Sequence, residues 1–484
     1  MKDWAAKRAV TMLLILAALL RLPFIWNRIY GTTGETFRDL NVVIDMFRRH
    51  LFPLVGPTAS VGGFHFGAIY YYLLAPFLWL CGFQPAGAVL AVKFFNLLFL
   101  WMAYRLVTLW FNNPRSGLVA LILLTFSIFD IQNSYSVSNV YFLPFFVTLF
   151  FYYLTIYLRG RRNLPDLLWL AIGFGVAVQL HATALFLLPV ILVAVLWYLK
   201  PTISAKDVGI FWATQLVLFL PYIVYQAIHR GRDLQIIGGV MAGNVALVPG
   251  WAAVSSIANF WGNLFFLNNQ YFNLAFANQT AYYICLAILT FMAIAMVLIM
   301  VRQGYRHLAK LNWPANFLLL SWLVAGSGLF LFYANPKKEL FYFLILWPIP
   351  VIVFMVVILA IKNFVMRIFV VLIAGYIFIQ TVQLGFFYQS LEAKAFQPQA
   401  LAQLFRQVRL SASSSAIYIA PVGLDQNILG YYLRVNGLAQ AVASNAEKYY
   451  MFVPIGLPSK GPAMFKRAVE FSNGDWKVVE YRKE

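Results

Sequence analysis

The chain contains a series of apolar runs along its first 390 positions, each about 20 residues long, the length that a helix needs to cross a bilayer. The runs do not alternate between apolar and polar residues, as the strands of a membrane β-barrel would. Hydrophobic residues make up 62% of the chain and charged residues 11%, whereas soluble domains have about 50% and about 25%. The sequence therefore predicts an all-α polytopic membrane protein.

Basic residues at the ends of the runs predict how the helices are oriented. Cytoplasmic loops carry the excess of Lys and Arg, and Lys2, Lys7 and Arg8 place the N-terminus in the cytoplasm. The apolar segment from Phe66 to Cys81 is interpreted as a juxtamembrane helix on the outer face, because counting it as a span would invert the basic loops that follow. About eleven spans result, at 9–26, 87–111, 117–133, 138–158, 166–180, 183–199, 207–227, 280–301, 314–333, 341–361 and 367–388.

The composition divides the chain into two predicted domains. Residues 1–390 form a transmembrane domain, in which 30–86 are the first periplasmic loop together with the juxtamembrane helix. Residues 391–484 are predicted to form a small soluble α/β domain, with strands at 416–420, 449–454 and 476–481 and a helix at 427–435. An odd number of spans places this domain outside, in the periplasm. We therefore expect a multi-pass protein of the inner (plasma) membrane.

The stretch from Gly34 to His65 contains the strongest candidate for a catalytic group. Three carboxylates, Glu35, Asp39 and Asp45, lie within it, although the whole chain has only 16 Asp and Glu residues. A carboxylate can act as general base toward a hydroxyl group, and we interpret Glu35 as the acid that matters most. Arg38 is a candidate for binding a phosphate or orienting a carboxylate. The alternative is that these are solvated loop residues, and Asp45 has the spacing of an ion pair on a helix face with the arginines that follow it.

Other polar groups at the predicted outer face are candidates for substrate binding. His65 lies between glycines that let the backbone approach a ligand, and its alternative role is in a plain turn. Gln179 and His181 lie in Q-L-H-A-T at the outer end of a helix, where His181 can donate to a phosphate or serve as a packing residue. Lys337 and Lys338 form a basic pair in an outer loop, where they can bind an anionic ligand or contact lipid phosphate.

Two further regions have predicted roles. The outer segment from about Ala227 to Thr280 is too long for a plain connection and is predicted to be a flexible lid. Asp130 marks the outer break between two helices, where it can contact sugar hydroxyls or cap a helix.

Several classes of function find no support in the sequence. The formal charge of +20 is interpreted as topology signals and contacts with membrane lipids, not as a nucleic-acid surface. No Walker A motif and no G-x-G-x-x-G after a strand is present, and no His, Cys or Asp cluster has metal-site spacing. No cofactor and no resident metal are expected.

The arrangement of the first 200 residues resembles the C-type (GT-C) glycosyltransferases. The resemblance rests on an outward helix, a long outer loop with an acid near its start, a Gly-rich stretch before Y-Y-Y-L-L-A-P, and a helix pair turning at Q-L-H-A-T-A-L-F-L-L-P. The protein mannosyltransferase and lipid A aminoarabinose transferase branch is the most similar. The later spans resemble the family only by their pattern.

The resemblance implies a fold, a reaction and a set of site residues. The family has an acid, most often Asp, then Arg and Asp, and Glu35, Arg38 and Asp39 occupy these places. His181 stands where aminoarabinose transferases have a phosphate-binding Lys. The implied reaction moves a sugar from a polyprenyl-phosphate donor to a lipid, glycan or protein acceptor, with Glu35 as general base and inversion at the anomeric carbon. A divalent metal shared by Glu35 and the donor phosphate is left open.

The main alternative is a lipid or sugar transporter or flippase, which also needs many spans and buried polar groups. Such a protein is expected to place its ionisable residues near the bilayer midplane, whereas the predicted spans place them at outer ends. A polysaccharide polymerase or ligase is a third possibility. The sugar, the acceptor and the lipid length do not follow from the sequence.

Overall fold

The computed structural model describes most of the N-terminal half of the chain and parts of the C-terminal half. Lys337, Lys338, the spans predicted at 280–301 and 341–361, most of 314–333 and the greater part of the predicted lid lie outside the described residues. The described residues are 2–23, 33–59, 63–199, 203–243, 318–319, 321–322, 364–394, 398–412, 417–421, 425–436, 438, 448–454, 465–473 and 476–483.

The long apolar runs of the described N-terminal part form helices close to the predicted positions. The predicted span 117–133 is divided at Ser127, where an extended backbone ends one helix and the side chain accepts a hydrogen bond from the backbone N–H of Asp130 to begin the next. A 3-10 turn, Asn139–Phe142, leads into α7. The helices are α1 Lys2–Arg21, α4 Pro85–Phe111, α5 Pro114–Phe126, α6 Ile128–Asn133, α7 Leu143–Leu158, α8 Leu164–Leu180, α9 Ala182–Leu199, α10 Ala205–Ile228 and α11 Arg232–Gly243.

Three helical segments of the described residues are long and apolar enough to cross a membrane: Pro85–Phe111, Asn139–Leu158 and Ala205–Ile228. Shorter apolar helices occupy Ile69–Leu80, Pro114–Phe126 and Leu164–Leu180. The mostly helical, apolar character of the chain is therefore confirmed, whereas the count of eleven spans stays a prediction.

The acidic stretch predicted as a loop begins with a helix, α2, which runs from Thr33 to Arg48. Its apolar residues Phe37, Leu40 and Ile44 are buried at helical spacing. Glu35 lies in its first turn and Arg48 in its last, which suits the helix dipole at both ends. A hairpin of β1 Val55–Thr58 and β2 His65–Gly67 and the helix α3 Ile69–Leu80 follow.

A helix, α3, is present where the juxtamembrane helix is predicted at 66–81, and its place at the membrane surface stays a prediction. Its aromatic residues are divided between two environments. Tyr70 and Tyr71 are buried in the protein core, and Trp79 is exposed. Tyr70 and Tyr71 therefore contribute to the packing of α3 against the rest of the protein.

Asp130 belongs to a buried polar cluster between helices. Its Oδ2 atom accepts hydrogen bonds from Arg21 Nη2 at 2.7 Å and from Asn96 Nδ2 at 3.0 Å. Arg21 Nε also donates to Asn96 Oδ1 at 2.7 Å. Since the carboxylate is buried and engaged, it ties α6 to α1 and α4, and the suggested contact with sugar hydroxyls is not supported.

The described C-terminal residues contain helices and a four-stranded sheet. The order of strands is β3-β4-β6-β5, with β3 and β4 parallel and the other pairs antiparallel. The three predicted strands and the predicted helix are present, and the helix Pro398–Ala412 and the strand Phe465–Asn473 are additional. That this segment is a separate outer domain stays a prediction. The elements are α12 Phe364–Lys394, α13 Pro398–Ala412, β3 Ile417–Pro421, α14 Gln426–Asn436, β4 Lys448–Pro454, β5 Phe465–Asn473 and β6 Trp476–Lys483.

Helix α14 of the C-terminal segment packs on α2. The ring of Phe37 meets the ring of Tyr431 edge-on, with centroids 4.9 Å apart, and Asn41 Nδ2 donates to the carbonyl of Asn427 at 2.9 Å. These contacts join residues almost 400 positions apart and hold the C-terminal segment against the helix that contains Glu35.

Asp45 lies in the same interface. Its Oδ1 atom is 3.5 Å from Arg49 Nε, as the predicted helix-face ion pair requires, and 3.4 Å from Arg434 Nε of α14. The position of Asp45 supports the structural interpretation made from its spacing.

Candidate functional site

Helix α2 places Glu35, Arg38 and Asp39 within one turn of each other. Residues three and four positions apart are neighbours on a helix surface, so the three form one group. Glu35 is exposed, Arg38 is half-buried and Asp39 is only 2% exposed. Glu35 is therefore the more accessible of the two carboxylates.

Asp39 is engaged by protein groups. Its Oδ1 atom accepts a hydrogen bond from Arg38 Nε at 2.9 Å and one from the Tyr71 hydroxyl at 3.3 Å. Burial raises the pKa of Asp39 to about 6, and the neighbouring Arg38 opposes this shift. These contacts fit a carboxylate that holds Arg38 and α3 in place beside Glu35.

The beginning of α2 lies against the beginning of α14. A Cβ added to Gly34 would lie 3.0 Å from Asp425 Oδ2, so glycine allows the two segments to approach. Asp425 caps α14, because its Oδ1 accepts a hydrogen bond from the backbone N–H of Asn427 at 2.7 Å. Sequence analysis gave Asp425 no role, although an Asp just before a predicted helix is a recognisable cap signal.

A second group forms where β2 meets the end of α8. The ring of Phe66 stacks on that of His181, with centroids 5.6 Å apart and an interplanar angle of 26°. A side chain at Gly67 would clash with Gln179. The fold thus brings together His65, Gln179 and His181, which lie in two motifs more than 100 residues apart in the sequence.

His181 follows α8 directly, in the turn before α9. The backbone N–H of Thr183 donates to its Nδ1 at 3.3 Å, so the proton of the neutral ring is on Nε2. Burial lowers the pKa of His181 to about 4. At neutral pH, His181 is therefore an uncharged N–H donor, which differs from the charge of the Lys in the family it resembles.

His65 is held by Asp233, a residue that sequence analysis did not single out. His65 Nδ1 is 3.2 Å from Asp233 Oδ2, and the backbone N–H of His65 donates to the same oxygen at 3.3 Å. Asp233 is fully buried in the first turn of α11. No local pattern links two residues so far apart in sequence, so this contact was not predictable.

The two groups are connected through α3. Tyr71 of α3 binds Asp39 of the first group, and β2, which holds His65 and Phe66 of the second group, precedes α3 by one residue. Gln179 is fixed by donating from Nε2 to the carbonyl of Leu218 at 3.0 Å. Within the described part of the chain, no group of three or more His, Cys, Asp or Glu residues is arranged to hold a metal.

Comparisons with solved structures identify the fold. ArnT from Cupriavidus metallidurans bound to undecaprenyl phosphate superposes with a TM-score of 0.59 at 12% identity, over 99% of this chain and 98% of that chain. The Archaeoglobus fulgidus oligosaccharyltransferase tethered with an acceptor peptide gives a TM-score of 0.51 at 13% identity, over 92% of this chain and 65% of that chain. The oligosaccharyltransferase AglB of the same organism, in complex with an inhibitory peptide and a dolichol-phosphate, gives 0.50 at 13% identity.

These matches confirm the predicted GT-C fold of a polytopic membrane protein, since the neighbours are GT-C glycosyltransferases and ArnT matches over nearly its whole length. No family model and no curated protein matches the sequence. At this level of identity the likeness shows the fold alone, so the function has to be argued from the site.

Proposed function

We propose that this chain is a membrane glycosyltransferase that moves a sugar from a polyprenyl-phosphate donor to an acceptor hydroxyl. The proposal depends on two connected groups of side chains. In the first, the exposed Glu35 lies beside the Arg38–Asp39 pair. The second contains the hydrogen-bonding side chains of His65, Gln179 and His181. Such a pair provides both a base and a set of phosphate ligands.

Glu35 is proposed as the general base. It removes the proton from the acceptor hydroxyl while the acceptor oxygen attacks the anomeric carbon, and the bond from that carbon to the phosphate oxygen breaks. The polyprenyl phosphate leaves with the electron pair, and a single displacement inverts the anomeric centre. Asp39 is less suited to this role, because it is buried and accepts hydrogen bonds from Arg38 and Tyr71.

The second group is proposed to bind the donor phosphate. His181 donates from Nε2, Gln179 lies against Gly67, and His65 precedes Phe66, the residue that stacks on His181. Fixed donors of this kind stabilise the charge that develops on the leaving phosphate. Arg38 is proposed to contact the donor near Glu35, and Lys337 and Lys338 remain proposed phosphate contacts.

The proposed orientation places α2 and the C-terminal segment on the periplasmic side of the inner membrane and the N-terminus in the cytoplasm. The packing of α14 on α2 supports a common side for both. Cysteines introduced at Thr33 and Ser459 should both react with an impermeant thiol reagent in intact cells. Labelling of only one of them would contradict this orientation.

The function is tested by incubating the purified chain with a panel of polyprenyl-phosphate sugars and candidate lipid, glycan and peptide acceptors. The expected result is release of polyprenyl phosphate together with a glycosylated acceptor. A chain that moves labelled donor across proteoliposomes and leaves it intact is a transporter, and that outcome would overturn the proposal.

A further inference from the structure

The contact between His65 and Asp233 joins the two long regions of the chain that are predicted to lie outside. Several other groups form hydrogen bonds with Asp233. The backbone N–H of Asp233 donates to Gln226 Oε1 at 3.3 Å, and its carboxylate receives the Tyr222 hydroxyl at 3.4 Å. His65 supplies two further donors to that carboxylate, from its backbone and its ring. A fully buried carboxylate is stable only when it is satisfied in this way.

Apolar packing reinforces the contact. Phe64 and Phe66, on either side of His65, are buried, and Ile236 and Ile237 of α11 pack against them. The hairpin therefore rests on α11 through a small apolar cluster, next to the contact between His65 and Asp233. This packing fixes the distance between His65 and Asp233 more firmly than an exposed pair would be fixed.

The geometry sets which nitrogen of His65 faces Asp233. Because a carboxylate only accepts hydrogen bonds, Nδ1 must carry a proton to bind it. Nε2 then lies on the opposite side of the ring from Asp233. The side chain of His65 is 26% exposed whereas that of Asp233 is 0% exposed, and no other side chain in the described ranges forms a hydrogen bond with His65. The ring of Tyr225 also meets the His65 ring edge-on, with centroids 5.5 Å apart. The Nδ1 edge of His65 is therefore bound to Asp233, and part of the ring remains exposed.

We propose that Asp233 is a positioning residue, which holds the His65 ring through Nδ1 so that its Nε2 edge meets the donor phosphate. This deepens the proposed function and rests on it for the nature of the ligand. The two histidines of the second group then differ. His181 accepts at Nδ1 from Thr183 and donates as a neutral ring, whereas His65 is held at Nδ1 by Asp233 and meets the phosphate with its Nε2 edge.

The test measures binding of farnesyl phosphate to the full-length chain in detergent, with farnesol as the control that lacks the phosphate. Asp233→Asn removes the charge that orients the ring and is expected to weaken binding about tenfold, in the range known for partners that orient a ligating His. His65→Ala is expected to weaken binding at least as much. Tyr222→Phe removes a different hydrogen bond to Asp233 and is expected to bind within about twofold of wild type.

The double variant distinguishes positioning from a general structural effect. If Asp233 acts through His65, Asp233→Asn costs little further binding in the His65→Ala background, since coupled residues are not additive. An equal loss from Asp233→Asn in both backgrounds would overturn the proposal. A wild-type chain that binds farnesol and farnesyl phosphate equally would overturn it as well.

A further variant, at His65 itself, leaves the buried carboxylate unchanged. His65→Asn keeps an N–H donor near the position of Nδ1 but has no group at Nε2, and it is expected to weaken binding about as much as His65→Ala while its thermal midpoint stays near that of wild type. His65→Asn that binds farnesyl phosphate like wild type would show that His65 is only a structural latch. These readouts concern binding, so failure of Glu35 as a base in transfer would leave them unaffected.

Discussion

The two parts of the proposed site are assembled in different ways. The acidic group lies on one helix, where Glu35, Arg38 and Asp39 are separated by three and four residues. The histidine group is assembled from β2, the end of α8 and α11, with His65 and Asp233 separated by 168 positions. The first group is therefore a local property of sequence, whereas the second exists only when the helices have packed.

The difference extends to electrostatics. Asp39 is buried beside a guanidinium, and burial still raises its pKa to about 6. His181 is buried, and burial lowers its pKa to about 4. Burial disfavours the charged form in both cases.

The largest expected effect concerns the acidic group. Glu35→Ala removes the proposed base and should lower transfer by about 10²–10⁴-fold, the usual contribution of a positioned base. Glu35→Asp should retain more activity, because the family that the chain resembles most often has Asp at this place. The measurement is kcat for release of polyprenyl phosphate, and equal rates for Ala and Asp variants would contradict the assignment.

A smaller and different effect is expected for the histidine group. His181→Ala removes a neutral N–H donor and should raise KM for the donor about tenfold while kcat changes little, because the phosphate is already bound in the ground state. His181→Gln keeps a donor and serves as the matched control. A loss confined to kcat would place His181 in the chemical step and remove the distinction between the groups.

Stability at low pH should separate Asp39 from its amide variant. The pKa of Asp39 is raised in the folded state, so its contribution to stability is fully present below the unfolded pKa of about 3.9 and is lost as pH rises through about 6. The free energy of unfolding of wild type should therefore rise relative to that of Asp39→Asn as pH falls from 7 to 4.5. Between the folded and the unfolded pKa, the gain is about 1 kcal/mol for each pH unit. Thermal midpoints of both proteins at the two pH values measure the difference, and parallel curves would contradict it.

The smallest effect is expected for metal removal. Because Glu35 is proposed to act as a base and not as a ligand, dialysis against EDTA should change transfer by less than about twofold. Restoration of lost activity by Mg²⁺ or Mn²⁺ would instead assign Glu35 to a metal shared with the donor phosphate.

Local patterns predicted much of the fold. The positions of α4, α7 and α8 follow from apolar run length, and the C-terminal strands β3, β4 and β6 from their composition. The helix α13 was missed although its signal was present, since Leu401, Leu404, Phe405 and Val408 have helical spacing and are buried. The strand β5 was missed because charged residues interrupt its apolar pattern.

The candidate site was predictable only in part, for the same physical reason. Glu35, Arg38 and Asp39 could be grouped from their spacing along one segment. Their different exposure could not, because it depends on Tyr71 of α3 and on α14. Asp233 and the tautomer of His181 depend on contacts that no local pattern encodes.

The most direct measurement of the central claim uses Glu35→Gln, which keeps the size and hydrogen-bonding capacity of the side chain but cannot accept the proton. Binding of farnesyl phosphate and transfer at saturating donor are measured on the same preparation. The proposed division between base and phosphate ligands predicts binding within about twofold of wild type and transfer lowered by about 10²–10⁴-fold. Transfer within about threefold of wild type, or binding lost together with transfer, would contradict it.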